Sequence, residues 1–376
     1  MITIPDINIV IGDLHFGRYS NDLKELEISL NYFRKFILPI LDKLNKAYGA
    51  ENVGIIQVGD VYDNRSLIST EIQDSILDTF EKISEHNIVV VDTGNHDKFN
   101  QTITTNRVLS YISNCIVVRQ PTRFLTKSGK KVSFIPAIEN KDGLAEVISN
   151  DEYADYMFGH DDIAGFSHEG IMVTEEKSIN MSHFSKYKHA IIGHIHKPQE
   201  NKNIVYVGAA YHTRKNEWEN KPQIMIINIA DESFKYIENN VSPKYLNVYL
   251  PDLLDMTVTD ANDLIKNNRV SVFVDDFNRI STVKITEFLT GYYSLKYEQK
   301  VGKIYSQNEI TNSDENVDFD INDDIKDIMS EYVTSLDSVI IDKKLIQISA
   351  VTKDKIINNL NKLYEISKDN VKMLDI

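Results

Sequence analysis

Five short apolar runs in the first half of the chain share one pattern. Each run is followed closely by a glycine, and the glycine is followed by polar residues. Runs of this kind are typical of buried strands whose ends carry polar groups. Ligands bind at the carboxyl ends of the strands in open, mostly parallel sheets, so we predict an α/β fold with polar groups gathered at one edge. The runs cover residues 7–11, 53–58, 88–91, 154–158 and 189–192.

Apolar positions at helical spacing separate the first three runs. Asn21 is predicted to cap a helix whose apolar positions run from 23 to 44, and Pro39 is predicted to kink or split that helix. A second helix should follow Asp63, with an apolar stripe from 67 to 83 that covers the sheet. Later in the chain, short strands predict a second sheet packed on the first. A helix is predicted near 104–111, and strands are predicted at 116–118, 123–126, 132–136, 204–207 and 223–229.

The pattern of predicted strands and helices changes after about residue 240. Alternating strand and helix patterns up to about residue 300 predict a small separate α/β domain, with strands at 245–250, 270–274 and 293–297 and helices at 260–266 and 283–289. Apolar residues at helical spacing recur at 321–336 and 352–364, after a stretch rich in Asp and Glu. The predicted organisation is a main domain over 1–240, a small domain over 241–305, an acidic linker over 306–320 and a helical tail over 321–376.

Composition limits the classes of function. The formal net charge of −15 argues against broad, nonspecific adhesion to nucleic acid, although a local basic face remains compatible with it. The single cysteine, Cys115, lies in an apolar run and is expected to be buried without a disulfide, which fits a reducing compartment. No apolar run approaches the ~18 residues of a membrane span, and the N-terminus lacks a secretory signal. We therefore expect a cytoplasmic protein with no membrane partner.

The polar residues after the strands are oxygen and imidazole donors, with no thiolate among them. Such a set suits two first-row divalent ions, which can activate water and hold a phosphoryl group. Asp60 carries a carboxylate able to bridge, and it is expected to serve both ions. One ion is assigned Asp13, His15 and His196, and the other is assigned Asn95, His160 and His194.

His96 directly follows a predicted ligand, and adjacent residues in a turn rarely serve the same ion. We assign it to catalysis, where it would stabilise charge on the phosphoryl group or protonate the leaving oxygen. Asp63 is expected to fix the tautomer of His96 through a carboxylate hydrogen bond. Five other histidines lack the strand-end pattern and are expected to have packing or surface roles, with His168 and His212 as the candidates for exceptions because they flank the site. These five are His86, His168, His183, His189 and His212.

Five blocks in this order resemble the signature of calcineurin-like metallophosphoesterases. The blocks are Gly12-Asp13-Leu14-His15, Gly59-Asp60-Val61-Tyr62-Asp63, Gly94-Asn95-His96-Asp97, Gly159-His160 and Gly193-His194-Ile195-His196. The resemblance covers about the first 240 residues. Within that superfamily the chain is similar to the SbcD-type nuclease subunits of bacteria and their phages. It differs from them at 209–212, where Ala-Ala-Tyr-His stands in place of a small hydroxyl residue, proline, tyrosine and glutamine.

The resemblance implies both a fold and a function. The implied fold is a four-layer α-β-β-α sandwich with two divalent ions, Mn²⁺ foremost, followed by a capping domain and C-terminal helices. The implied function is hydrolysis of DNA phosphodiesters in recombination and repair, as an exonuclease on duplex ends and an endonuclease on single strands. The implied partners are DNA, an SMC-like ATPase of the SbcC type that binds the C-terminal helices, and a second copy of the chain.

Basic residues near the signature turns are candidates for contacts to the DNA backbone. Two rival functions remain open, which are a phosphodiesterase for small substrates and a non-catalytic scaffold with the same fold. The complete ligand set and His96 count against the scaffold, and the tail counts against the small-substrate enzyme. The candidate DNA contacts are Arg18, Arg65, Lys98, Arg107, Lys197, Arg214 and Lys215.

Overall fold

The computed structural model describes residues 2–100, 102–274, 305–306, 338–341 and 344–347. The chain divides into two compact units, Met1–Gln307 and Asn308–Ile376. Within the described ranges, no helix combines the length and the apolar character needed to cross a membrane. Several predicted elements lie outside the described residues, namely the strand at 293–297, the helices at 283–289, 321–336 and 352–364, and nearly all of the acidic linker over 306–320.

Two mixed sheets form the main part of the first unit, which confirms the predicted α/β class. In the six-stranded sheet, four neighbouring strands are parallel to one another. Two further strands are added at one side, and each of them pairs antiparallel with its neighbour on the inner side. In sheet order these strands are Ser233–Glu238, Gln223–Asn228, Ile7–Ile11, Val53–Gln57, Ile88–Val91 and Cys115–Val117. In sheet order the seven-stranded sheet comprises Ile2–Ile4, Thr122–Thr126, Lys131–Ile135, Ala154–His160, Tyr187–Gly193, Ile204–Tyr206 and Gln199–Asn201.

The central strands are buried on both faces, which explains why they read as continuous apolar runs. Ile9 and Ile55 pack with the helices of the first half of the chain, whereas their neighbours Val10 and Ile56 pack between the two sheets. This alternation follows from the two-residue period of a strand. A third apolar cluster joins the seven-stranded sheet to the helix Lys141–Asn150. The second sheet is therefore packed on the first, as predicted.

The first predicted helix is split at Pro39, in agreement with the sequence. A helix over Leu23–Tyr32 passes into a π-helical turn over Phe33–Ile37, and a further helix over Leu38–Tyr48 begins with Pro39 in its first turn. Proline has no N–H to donate to the preceding turn, so the hydrogen-bonding pattern changes before it. The predicted cap at Asn21 is wrong by one residue.

The cap of this helix is Asp22, whose Oδ1 accepts hydrogen bonds from the backbone N–H groups of Lys24 and Glu25. Asn21 instead ends a left-handed turn over Arg18–Asn21, with a φ of 65°. Its side chain accepts a hydrogen bond from the Ser69 N–H. The second predicted helix forms over Thr70–Ser84, and its buried apolar residues cover the six-stranded sheet as expected.

Shorter elements complete this part of the chain. A two-residue turn joins Ser167–His168 to Ile171–Met172 in an antiparallel hairpin, here called the 167–172 hairpin. Four short 3₁₀ helices in the described part of the chain lie between the longer strands and helices, and the segment predicted as a helix near 104–111 is one of them. They span Ala50–Asn52, Thr105–Tyr111, Met181–Lys186 and Lys215–Glu217.

Residues 245–274 build a separate small sheet around their own apolar cluster. Tyr245–Tyr249, Arg269–Val274 and Tyr305–Ser306 run parallel, and the helices Leu250–Asp255 and Val258–Asn267 connect the first two strands. The strands predicted at 245–250 and 270–274 and the helix predicted at 260–266 are therefore confirmed.

Polar contacts join this small sheet to the chain just after His15. The Arg269 guanidinium pairs with Glu25, and the hydroxyls of Tyr245 and Tyr19 lie 2.9 Å apart. Glu25 also pairs at 2.9 Å with Arg18, so one carboxylate holds two guanidinium groups. The backbone that follows His15 is thereby linked to the small sheet.

The described part of the second unit is a hairpin. Ser338–Ile341 pairs antiparallel with Lys344–Gln347. These two strands lie inside the segment predicted as a helical tail, between its two predicted helices, and the prediction did not include them.

Candidate metal centre

All seven predicted ligands meet at one place between the two sheets. The six-stranded sheet supplies four of them in the turns that follow its three central strands, and the seven-stranded sheet supplies three at and beyond the ends of two strands. Six of the seven fall into two groups, each with its donor atoms within 4.8 Å of one another, and Asn95 lies beside the second group. The groups are Asp13, His15 and His196, and Asp60, His160 and His194.

In the first group, two imidazoles face each other. The Nε2 atoms of His15 and His196 are 3.0 Å apart, and Asp13 Oδ2 lies 3.8 Å and 3.4 Å from them respectively. Asp13 Oδ2 is buried and has no hydrogen-bond partner among the described residues. An orphaned carboxylate oxygen opposite two converging imidazole nitrogens fits a divalent cation.

In the second group, an amide and a carboxylate oxygen converge on two imidazoles. Asn95 Oδ1 lies 2.9 Å from His194 Nδ1 and 3.1 Å from His160 Nε2. Asp60 Oδ2 lies 3.3 Å from His160 Nε2 and 3.7 Å from His15 Nε2. Asp60 therefore stands between the two groups, in the position predicted for a ligand shared by two ions.

The recurring glycine before a ligand has a steric cause. A Cβ atom on Gly12 would lie 1.7 Å from the Gly208 carbonyl oxygen, and one on Gly193 would lie 2.2 Å from the Val58 carbonyl oxygen. A Cβ on Gly94 would lie 2.1 Å from Asp60 Oδ1. The ligand turns are packed so closely that only hydrogen fits at these positions.

Three of the ligands have an unusual backbone conformation. The φ angles are 46° at His15, 55° at Asp60 and 87° at His194. Residues other than glycine are uncommon in this region, and such strain is concentrated at functional sites. The turn geometry that aims these side chains at one another therefore has a conformational cost, which the surrounding packing must offset.

Two carboxylates that the sequence analysis did not single out hold the last two histidine ligands. Glu217 Oε1 lies 2.5 Å from His196 Nδ1, and Asp162 Oδ2 lies 3.4 Å from His194 Nε2. The third histidine, His160, has Nδ1 at 2.8 Å from the Val58 carbonyl oxygen. Each of these three imidazoles thus has one nitrogen in the centre and the other facing an oxygen atom, as is usual for metal-binding histidines.

The electrostatics of the centre favour a cation. Burial alone would raise the pKa of Asp13 and of Asp60, but the neighbouring imidazoles, His160 foremost, outweigh it and hold both pKa values below the ordinary value. Burial alone would lower the pKa of His196, but the neighbouring carboxylates of Asp13 and Glu217 outweigh it and raise the pKa to about 10. In the metal-free centre these ionised carboxylates are paired with protonated imidazoles, so a cation that binds there takes the place of the imidazole protons.

His96 lies beside the first group, but Asp63 holds it differently from the prediction. His96 Nδ1 lies 2.6 Å from the backbone carbonyl oxygen of Asp63, not from its carboxylate. The Asp63 carboxylate instead lies 3.4 Å from His15 Nδ1. The backbone N–H of His96 donates to Asp60 Oδ1 at 2.8 Å, and the His96 ring packs edge-on against the His15 ring. The backbone of Asp63 therefore fixes the tautomer of His96, and its side chain orients His15.

Among the described residues, three cavities open next to the centre, and the smallest, of about 160 Å³, is bordered by His15, Arg18 and Asp63. The first, of about 400 Å³, is bordered by His15, Asp60, His96 and His168, with Lys197 and Arg214 at its edge. The second, of about 320 Å³, lies beside Asn95 and His160 and includes Arg65 and Lys98. Of the predicted DNA contacts, these four basic residues border the first two cavities, and their contact with DNA stays a prediction. Arg107 and Lys215 are exposed and border none of the three cavities.

Arg18 is a correction to the predicted DNA contacts. It is only 3 % exposed, pairs with Glu25 and lies over the Tyr211 ring at 4.5 Å. A guanidinium already paired and covered in this way is not presented to a DNA backbone. Its role here is to connect the left-handed turn after His15 to the neighbouring helix.

The loop over 208–213 is buried behind the ligand turns. The Ala210 N–H donates to the Asp13 carbonyl oxygen at 3.0 Å, and the Ala209 N–H donates to the His196 carbonyl oxygen at 3.1 Å. Tyr211 donates from its hydroxyl to the Leu14 carbonyl oxygen. His212 is also buried, with its ring between the Asn220 carbonyl and the Tyr245 N–H, so its role is packing. His168, in contrast, borders the first cavity.

A buried carboxyl below the second group gives a pH-dependent prediction. Asp92 is fully buried, and burial raises its pKa to about 8 despite a hydrogen bond from the Thr93 N–H. The folded protein therefore holds this proton more tightly than the unfolded chain does. Its stabilising contribution is complete below the unfolded pKa of 3.8 and is lost as the pH rises through about 8.

We therefore expect Asp92→Asn, which keeps the shape and stays neutral, to gain stability over the wild type as the pH rises from 6 to 8. The gain should approach about 1.4 kcal/mol per pH unit and level off above pH 8. Urea unfolding in the presence of a chelator at several pH values measures it. A constant difference between the two proteins across this range would contradict the raised pKa.

Comparison with known proteins adds no further constraint, since neither the models of protein families nor the curated proteins contain a match to this chain.

Proposed function

We propose that this protein is a metal-dependent phosphodiesterase that hydrolyses DNA, with two divalent ions, Mn²⁺ foremost, as its cofactor. The observation that carries the proposal is the position of Asp60 between two groups of ligands, with His96 beside them. A pair of ions bound there would activate water and neutralise charge on a phosphoryl group. The resemblance to SbcD-type nuclease subunits supplies the substrate class.

The residues around the ions have separate tasks. Asp13, His15 and His196 would hold one ion, Asn95, His160 and His194 the other, and Asp60 both. His96 Nδ1 is engaged by the Asp63 carbonyl, which leaves Nε2 as the ring nitrogen that can meet the substrate. From the border of the first cavity, His96 would donate a proton or a hydrogen bond to the oxygen atoms of the reacting phosphate.

The two larger cavities support a substrate larger than a simple phosphomonoester. They lie on either side of His194, which borders both of them. Arg65 and Lys98 border one cavity and Lys197 and Arg214 border the other, so basic groups are present on two sides of the centre. Acidic residues line both cavities as well, and Arg214 is paired with Glu169 at 2.7 Å. A polyanionic strand crossing the centre would meet positive charge before and after the scissile phosphate.

The larger assembly also remains a proposal that rests on the resemblance. It comprises a four-layer α-β-β-α sandwich, a homodimer, and an SMC-like, SbcC-type ATPase bound through helices of the C-terminal tail. Apolar clusters on the outer face of each sheet, formed with helices, support the four layers. We propose that the sheet over 245–274 is the capping domain.

The test is the release of nucleotides from end-labelled linear duplex DNA in the presence of Mn²⁺. We expect the wild type to release nucleotides and His96→Ala to be slower by about 10²- to 10⁴-fold, the usual contribution of a positioned acid or base. His86→Ala is the matched control, because His86 is highly exposed and precedes the strand Ile88–Val91, whose other end leads to the ligand turn. It should behave like the wild type.

Two outcomes would overturn the proposal in different ways. Hydrolysis of bis-p-nitrophenyl phosphate without release of nucleotides, even with an ATPase partner present, would indicate an enzyme for small substrates. Absence of hydrolysis of either substrate, in a protein that binds Mn²⁺, would indicate a scaffold.

A further inference from the structure

Two neighbouring histidine ligands use opposite ring nitrogens. His194 presents Nδ1 to the centre, 2.9 Å from Asn95 Oδ1, whereas His196 presents Nε2, 3.0 Å from His15 Nε2. They are separated by one residue, and His194 has the left-handed φ of 87°. The remaining nitrogen of each ring therefore points away from the centre, and in each case it meets a different carboxylate.

Glu217 holds the outer nitrogen of His196. Its Oε1 atom lies 2.5 Å from His196 Nδ1, and the Thr213 hydroxyl donates to the same oxygen at 2.6 Å. Its Oε2 atom accepts backbone N–H groups from Thr213 and Arg214. Glu217 is only 5 % exposed. A carboxylate fixed by four contacts leaves the imidazole little freedom to rotate.

Asp162, which is 39 % exposed, faces the outer nitrogen of His194 at ion-pair distance. Its Oδ2 atom lies 3.4 Å from His194 Nε2, and its Oδ1 atom lies 3.0 Å from His168 Nδ1. His168 belongs to the 167–172 hairpin and packs edge-on against the His194 ring. The carboxylate therefore lies between two imidazoles, one in the centre and one on the hairpin.

We propose that Glu217 and Asp162 are positioning residues that act on different ions. Glu217 orients His196 toward the ion held with Asp13 and His15, and Asp162 orients His194 toward the ion held with Asn95 and His160. A carboxylate on the outer nitrogen fixes both the tautomer and the plane of a ligand imidazole, and its loss typically weakens metal binding ~10–100-fold. The inference rests on the proposed two-ion centre, but not on the substrate.

The experiment titrates the metal-free, full-length protein with MnCl₂ by calorimetry and follows the bound ions by electron paramagnetic resonance. The wild type should bind two ions and show the signal of a coupled pair. Glu217→Gln and Asp162→Asn should each weaken one binding step ~10–100-fold and leave the other, so that a signal of isolated Mn²⁺ replaces that of the pair. Glu217→Asp should be intermediate, because it keeps the charge but shortens the side chain.

Double variants assign each carboxylate to its ion. In a His196→Ala background, Glu217→Gln should have no further effect, whereas in a His194→Ala background it should weaken the ion that remains. Asp162→Asn should show the opposite pattern. Exposed carboxylates that border none of the three cavities serve as matched controls, and Glu146→Gln and Asp42→Asn should bind two ions as the wild type does.

Three results would overturn the inference. The first is wild-type binding of both ions by Glu217→Gln and Asp162→Asn. The second is equal weakening of both ions by either variant, and the third is a fall in the thermal stability of the metal-free protein that accounts for the lost affinity. Two ions bound without any phosphodiester hydrolysis would contradict the proposed function and leave this inference standing.

Discussion

Replacement of Asp60 by Asn is expected to lower kcat/KM for phosphodiester hydrolysis at limiting Mn²⁺ by about 10³-fold or more. Asp60 Oδ2 lies within 3.7 Å of imidazoles from both ligand groups, so one substitution would remove a negative charge from both proposed ion sites. Loss of a residue that hydrogen-bonds to a metal ligand typically weakens metal binding ~10–100-fold. Loss of a ligand shared by two ions should weaken it more. Hydrolysis of bis-p-nitrophenyl phosphate over a series of Mn²⁺ concentrations measures the effect.

The matched control for Asp60 is Asp74→Asn. Asp74 is an exposed carboxylate on the helix Thr70–Ser84, so its loss changes the net charge equally and leaves the centre intact. Its activity should equal that of the wild type at every Mn²⁺ concentration. An Asp60→Asn protein with more than a tenth of the wild-type activity would show that Asp60 is not a shared ligand.

The second large effect concerns stability. Gly12→Ala is expected to lower the free energy of unfolding by about 4 kcal/mol or more, above the usual range for overpacking. The new Cβ would lie 1.7 Å from the Gly208 carbonyl oxygen and 2.9 Å from the carbonyl carbon. It would therefore clash with backbone atoms, and no side chain could rotate to relieve the clash. Neither segment can move easily, because the Ala210 N–H donates to the Asp13 carbonyl between the same two loops. Urea unfolding of the metal-free protein measures the loss.

Gly129→Ala is the control for Gly12→Ala, because it carries the cost of a left-handed backbone conformation without a steric clash. Gly129 has a φ of +83°, but a Cβ there would meet nothing within 4 Å. That substitution should therefore cost only about 1–2 kcal/mol, the usual penalty for a left-handed residue. Equal losses for the two variants would mean that the ligand turns can separate enough to admit a methyl group.

The strand-end residues could be predicted because their signal is local. A glycine followed by Asp, Asn or His after an apolar run is visible in the sequence, and the packing of Gly12, Gly94 and Gly193 against neighbouring turns explains why it recurs. The split helix at Pro39 was predictable for the same reason, since proline acts through its own missing N–H.

The missed features depend on how separate segments meet. Glu217 lies 21 residues from His196, and Asp162 lies 32 residues from His194, and nothing in their immediate sequences marks them as partners of an imidazole. The only local signal for Glu217 is weak. It is the spacing of four residues from Thr213, whose hydroxyl donates a hydrogen bond to it in the structure. Arg18 looked like a DNA contact because basic residues near a signature turn usually face solvent, but Glu25 and Tyr211 enclose it.

The origin of the ligands has a consequence for how the protein holds together. Asp13, His15, Asp60 and Asn95 follow strands of one sheet, while His160, His194 and His196 belong to the other, so each ion would be a cross-link between two sheets. Ligands drawn from positions 13 to 196 cannot assemble in a partly folded chain, and any affinity for the ions therefore adds to the free energy of folding. A chelator should then act on this protein as a mild denaturant that opens it along the plane between its sheets.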